Sequence, residues 1–210
     1  CGEESTFAVA ALRSVGIPAR QVYTPRWAHC DDNHAWVEVF VNGEWHFLGA
    51  CEPEEVLDTG WFSGPANRAI LIHTRNFSDY VKESNEEYLG KEGALHYFNH
   101  TSFYGRTKLV KILVKDEKGK PAAGAHVVVE ILNMAEFFPA AAVIADADGE
   151  VQMTLGLGDI RVRAFDGIRR AEAMMRIEEE DSLELVLQEE AVPSADDTWE
   201  NCLLYTSPSP

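Results

Sequence analysis

Amide chemistry at a thiol needs a cysteine that ionises, a base to take its proton and a third group to hold that base. The chain offers Cys1, His34 and Glu52 for these roles. Cys1 stands before Gly2-Glu3-Glu4 and a segment in which Phe7, Ala8, Ala11, Leu12 and Val15 fall on one helical stripe. Gly16 and Pro18 stop that helix, and the two acids suit its start. Cys1 is thereby placed at a helix N-terminus. The dipole and free N–H groups there favour a thiolate and could supply part of an oxyanion site.

His34 opens an alternating run. Ala35, Val37, Val39 and Val41 are small and apolar, while His34, Trp36, Glu38 and Phe40 are large or polar. That period of two predicts a sheet strand. Asn42-Gly43 is a strong hairpin signal, because both residues tolerate positive φ, and Trp45 to Leu48 returns along the first strand. A histidine where a strand meets a loop is both fixed and accessible. Trp36 lies on its face and is the candidate substrate-binding residue. Glu52 reaches the imidazole only if the chain bends near Ala50, as Gly49 and Pro53 permit. Cys30, His34 and Cys51 do not make a metal site, since strands do not reproduce helical i, i+4 ligand geometry. No metal or cofactor is expected.

Composition bounds the rest. The chain has 210 residues, 46% of them hydrophobic, enough for one large or two small domains. A net charge of -17 excludes nucleic acid as a partner, since phosphates would be repelled. No apolar run approaches the roughly 18 residues of a membrane helix. The four cysteines form neither a disulfide framework nor a C-x-x-C pair. No initiator Met and no signal peptide is present, so the chain is expected to be a fragment truncated at its N-terminus.

Along the chain, Ala19 to Tyr23 and Ala69 to His73 predict further strands. Helix, strand, hairpin and further strands give an α+β domain over 1–85, a helix packed on a mostly antiparallel sheet. Residues 86–106 are expected to be a polar connector, partly helical, with few contacts across the join. From Thr107 seven short strands with regular turn signals predict an all-β sandwich over 107–188. Asp146, Asp148 and Asp159 fall in its turns and are expected to be hairpin acids rather than calcium ligands. Residues 189–210 lack periodicity and are expected to be a disordered tail. The segment from Cys202 to Pro210 resembles translated adapter sequence and is partly non-native.

Cys1-Gly2-Glu3, the Arg13-Ser14-Val15-Gly16-Ile17-Pro18-Ala19-Arg20 exit, His34-Ala35-Trp36-Val37-Glu38-Val39 and Trp45 together resemble the transglutaminase-like superfamily over roughly residues 1 to 75, closest in texture to its peptide N-glycanase branch. The resemblance implies a papain/transglutaminase-like core with Cys1 as nucleophile and His34 as base. It also implies an orienting aspartate at a position that Gly49 occupies here; Glu52 is the nearest acid and Asp32 the alternative. The second domain resembles carboxypeptidase-regulatory-like, or prealbumin-like, sandwiches through Gly119-Lys120-Pro121-Ala122-Ala123-Gly124-Ala125 and Asp146-Ala147-Asp148-Gly149. Such modules imply a secreted or envelope-associated bacterial protein.

Three functions compete. The first is a thiol hydrolase or acyl-transferase acting on amide bonds of a peptide, glycopeptide or cell-wall peptide through a Cys1 thioester. The second is a non-catalytic transglutaminase-like module in a surface binding or structural protein, which Gly49 favours and the Cys1–His34 pair opposes. The third is an N-terminal-nucleophile hydrolase using the α-amino group of Cys1, which leaves the His34 motif unexplained.

Overall fold

A computed structural model describes residues 1–77 and 86–189. Strands dominate them, and helices are few and mostly short. Helix α1 (Gly2–Ser14) leads to β1 (Ala19–Thr24), then the hairpin β2 (His34–Val41) and β3 (Glu44–Leu48). The short α2 (Ser63–Ala66) precedes β4 (His73–Phe77), β5 (Glu87–Glu92), β6 (Leu95–Asn99) and α3 (Thr101–Tyr104). The second lobe is all strand: β7 (Thr107–Asp116), β8 (His126–Asn133), β9 (Glu136–Ile144), β10 (Glu150–Gly156), β11 (Asp159–Phe165), β12 (Arg169–Arg176) and β13 (Ser182–Glu189). One sheet has six strands in the order β3-β2-β1-β4-β6-β5; the other has seven, β10-β7-β13-β12-β11-β8-β9. Of the tail expected from Glu189 onward, only Glu189 falls within the described residues.

The hairpin forms as its turn chemistry dictates, with Asn42 at φ 54° and Gly43 at φ 90°. Neither face of β2 meets solvent at its first six residues. Val37 and Val39, with Ala19, receive Ala8, Val9 and Leu12 of α1. The face carrying Trp36 packs with Val22, Trp27, Phe62 and Ile72. The helical stripe differs from the sequence expectation: Phe7 and Val15 are exposed, while Ser5 is buried. The cause is polar. Gln21 Nε2 lies within hydrogen-bond distance of Gly2 O, Ser5 Oγ and Thr6 Oγ1, at 3.0, 2.7 and 3.2 Å, and turns that corner of the helix inward.

Residues 86–106 are more than a partly helical connector. They hold β5 and β6, which extend the first sheet through β4, and the short α3. The charged residues of β5 hid that edge strand, since edge positions need little apolar periodicity. Ala69 to Ile72 is not a strand but a buried extended segment between the lobes. Ile70 and Leu71 join the core of the seven-stranded sheet with Val110, Ile112 and Leu155. Gly156 donates its N–H to Ile70 O at 2.8 Å, and a Cβ on Gly156 would sit 1.9 Å from Ala69 O. Asn99 Nδ2 donates to Thr154 O at 2.6 Å, and Glu87 accepts from Thr154 N. The expectation of few contacts across the join is therefore overturned.

In the second lobe Asp146 spends one carboxylate oxygen on the N–H groups of Asp148 and Glu150, a turn-forming role. Because Leu71 is fully buried in that lobe's core while Ile72 beside it belongs to the core of the first, Leu71→Ala is expected to cost about 2–5 kcal/mol. Denaturation followed by tryptophan fluorescence, whose reporters Trp27 and Trp36 sit in the first lobe, and by far-ultraviolet dichroism should show one coincident, shifted transition.

Candidate active site

His34 begins β2 opposite Thr24 of β1, so the sheet register fixes its Cα. Its ring is caged by aromatic groups. Trp61 lies 4.8 Å away centroid to centroid, Phe62 5.1 Å, Trp36 5.8 Å and Trp27 6.3 Å. Only 5% of the residue is exposed, and Nε2 is buried without a hydrogen-bond partner. Burial pushes the imidazole below its ordinary pKa, and the charges of Glu52 and Asp32 oppose that drop. The ring is thus held neutral, the state a general base needs. An orphaned buried nitrogen costs about 1–3 kcal/mol.

Cys1 is the N-cap of α1 and makes no side-chain capping bond; its carbonyl accepts from Ser5 N at 2.9 Å. The thiol is exposed and is not hydrogen-bonded to His34 as the two stand. Resting sites commonly hold such pairs apart until substrate binds. Cys51, on the exit from the hairpin, lies against Glu4. Its bond to the Glu4 carboxylate, reinforced by burial, pushes the Cys51 thiol up.

The chain does bend after β3. A Cβ at Gly49 would lie 2.7 Å from the carbonyl oxygen of Glu52, so the backbone turns back over this glycine and leaves no room for a side chain. That turn carries Glu52 toward the site. Glu52 does not bond to His34, however. Its Oε2 accepts from Trp61 Nε1 at 3.3 Å, and it acts on the imidazole through charge alone.

Trp36 is not where a substrate could touch it. It is completely buried, with Nε1 donating to Tyr104 Oη at 2.8 Å. Tyr104 in turn donates to Glu38 Oε1 at 2.6 Å, and Arg20 Nε donates to Glu38 Oε2 at 2.7 Å. Arg20 also reaches Glu86 and stacks on Trp45. Burial, then Arg20, pushes the adjoining His100 down to about 4. This closed polar network locks Trp36, which backs His34. The aromatic open to solvent at the site is Trp61, 53% exposed. No local pattern in the sequence marks Trp61, Trp27 or Gln21 as site residues. The Gly60-Trp61-Phe62 turn was the one available signal.

The second lobe also reaches the site. Asn133 Nδ2 donates to Trp27 O at 3.0 Å and to Cys30 O at 2.7 Å, and Asp31 Oδ1 accepts from Met134 N at 2.7 Å. These bonds hold the loop that presents Trp27 to His34.

An exposed cysteine at a helix start and a strand histidine in an aromatic cage are the candidate residues of a thiol site. Residues 1–50 match the family model of the transglutaminase-like superfamily, the span that holds both Cys1 and His34. No curated protein matches the chain. Among the described residues there is no cluster able to hold a metal ion, and no helix is long and apolar enough to cross a membrane.

Proposed function

We propose that the first lobe is a transglutaminase-like thiol acyl-transferase or hydrolase, built on a papain-like helix-on-sheet core and acting on amide bonds of peptide or glycopeptide substrates. The observation that carries this reading is His34, an almost fully buried neutral imidazole with no bonding partner at Nε2, caged at a strand end beside a helix that starts with an exposed cysteine. His34 takes the thiol proton and Cys1 sulfur attacks the amide carbonyl. The free N–H groups at the start of α1 stabilise the oxyanion. As the C–N bond breaks, His34 returns the proton to the leaving amine and a thioester remains on Cys1. Water or a second amine then attacks the thioester and regenerates the thiol. The aromatic cage, rather than a carboxylate, holds the imidazole. The second lobe, read as a prealbumin-like sandwich, braces the Trp27–Asn33 loop. Hydroxylamine added with a mixture of glutaminyl and glycosylated peptides is expected to yield peptide hydroxamates through capture of the thioester. Their absence, with no peptide or amide cleaved either, would refute the reading.

Glu52 has a distinct signature. Its charge raises the His34 pKa against burial. Glu52→Gln is therefore expected to shift the acid limb of the pH–rate profile to lower pH while changing the plateau less than about tenfold. A loss of about a hundredfold or more without a shift would mean instead that Glu52 bonds to the imidazole during turnover.

A further inference from the structure

A second cavity lies between the lobes, away from the cage around His34. It has a volume of about 490 Å3 and is bordered by Tyr23, His73, Arg75 and Tyr97 of the first sheet and by Phe138–Ala142 of β9. That size suits a small organic ligand. β5 and β9 are the edge strands of their sheets, and both line it. Each irregularity in their pairing falls here: the β5–β6 register shifts between Tyr88 and Gly90, and the β8–β9 register shifts opposite Ala140. Such bulges re-aim side chains at the rims of sites.

Arg75 is the centre of the cavity's chemistry. Its guanidinium lies 3.9 Å over the Tyr23 ring and 6.0 Å from that of Tyr97, and Nε is buried without a hydrogen-bond partner. The chain has 35 acidic residues against 18 basic, and Arg20, Arg161, Arg163, Arg169 and Arg176 all sit on carboxylates. Arg75 has no carboxylate partner among the described residues. Beside it His73 is 5% exposed, packed between Tyr23 at 5.6 Å and Tyr97 at 5.1 Å, with Nδ1 buried and unpartnered. Two buried polar groups thus line one cavity without partners, and a folded protein leaves such groups unsatisfied at a cost of about 1–3 kcal/mol each. The only acid on the lining is Glu92, and it accepts the hydroxyl of Tyr97 at 3.1 Å.

We propose that this cleft binds a small organic carboxylate with an apolar body, its carboxylate on Arg75 beside His73 and its body against Leu89, Phe138 and Pro139. A guanidinium fork matches a carboxylate in plane and spacing, and stacking on tyrosine pre-orients it. A single arginine, with Lys91 at the rim, compensates one negative charge. A dianion in a chain of net charge -17 would be under-compensated. The carboxylate can come from a peptide C-terminus or from a free acid. This inference stands independently of the thiol reading.

Calorimetry on the intact chain with N-acetyl-phenylalanine, its primary amide and the tripeptide alanyl-alanyl-phenylalanine decides the matter. The free acids are expected to bind with Kd on the order of 0.1–1 mM, and the amide at least about tenfold more weakly. A tighter tripeptide identifies a peptide C-terminus as the source, and a tighter N-acetyl acid identifies a small free acid. Arg75→Gln is expected to lose about tenfold or more, with Arg176→Gln unchanged. Arg75→Lys, which keeps the charge and removes the fork, serves if Arg75→Gln does not fold, and should also weaken binding. Equal affinity for acid and amide, no binding of either acid up to about 10 mM, or unchanged affinity in the Arg75 variants would overturn the proposal.

Discussion

Cys1→Ala is expected to abolish turnover, with a loss on the order of 10^4-fold or more, while leaving the folded state intact. Removing the nucleophile of a covalent mechanism removes the intermediate itself, and losses of that order follow when one member of a catalytic unit is deleted. The fold should not notice. The thiol is exposed and makes no capping bond, and the first turn of α1 is held by Gln21 and by the Cys1 carbonyl, which alanine keeps. A thermal midpoint within a degree or two of the parent, together with loss of hydroxamate formation, is the expected pair of results. Retained turnover in the variant would assign the chemistry elsewhere.

His34→Gln carries the second largest effect. Glutamine fills much of the same volume among Trp61, Phe62, Trp36 and Trp27 but cannot take a proton. Turnover is expected to fall by about 10^2- to 10^4-fold, the range for loss of a positioned general base. The same variant has a readout that needs no substrate. Burial lowers the His34 pKa in the folded state, so as pH falls below about 6.5 the unfolded chain takes up the proton first and the folded state loses stability. His34→Gln removes that contribution and should lose less stability than the parent between pH 7 and pH 5. His73, held near 3, and His100, held near 4, continue the decline at lower pH in both proteins. An unchanged pH dependence of stability would mean that His34 is not held neutral.

The parts of this site legible in the sequence are those written in local pattern. Cys1 at a helix start, His34 at a strand start and the Asn42-Gly43 turn all follow from spacing and turn chemistry. So do most of the strands after Thr107, which alternation and turn residues mark. What was illegible depends on contacts distant in sequence. Trp36 reads as a surface aromatic on the histidine's face until Tyr104, 68 residues later, takes its indole N–H. The start of β9 is not legible, because Met134-Ala135 carries no turn signal. Both residues adopt positive φ, at 54° and 57°, and the bond from Met134 N to Asp31 ties that turn to the other lobe. β5, with Glu87, Lys91 and Glu92, is too charged to show a core-facing period. Gly49 looked like a lost aspartate. It also supplies the one side-chain-free position over which the Glu52 backbone can turn.

The central claim is that Cys1 is an activated thiol and that His34 activates it. Competitive alkylation measures this directly. The chain is treated with limiting iodoacetamide at pH 6, and adducts at Cys1, Cys30 and Cys51 are mapped by peptide mass spectrometry. Cys30 is the exposed reference, and Cys51 is held protonated by Glu4. Cys1 is expected to react at least about tenfold faster than Cys30, and to fall to the rate of Cys30 in His34→Gln. Equal rates at Cys1 and Cys30 in the parent, or a fast Cys1 unaffected by His34→Gln, would contradict the account.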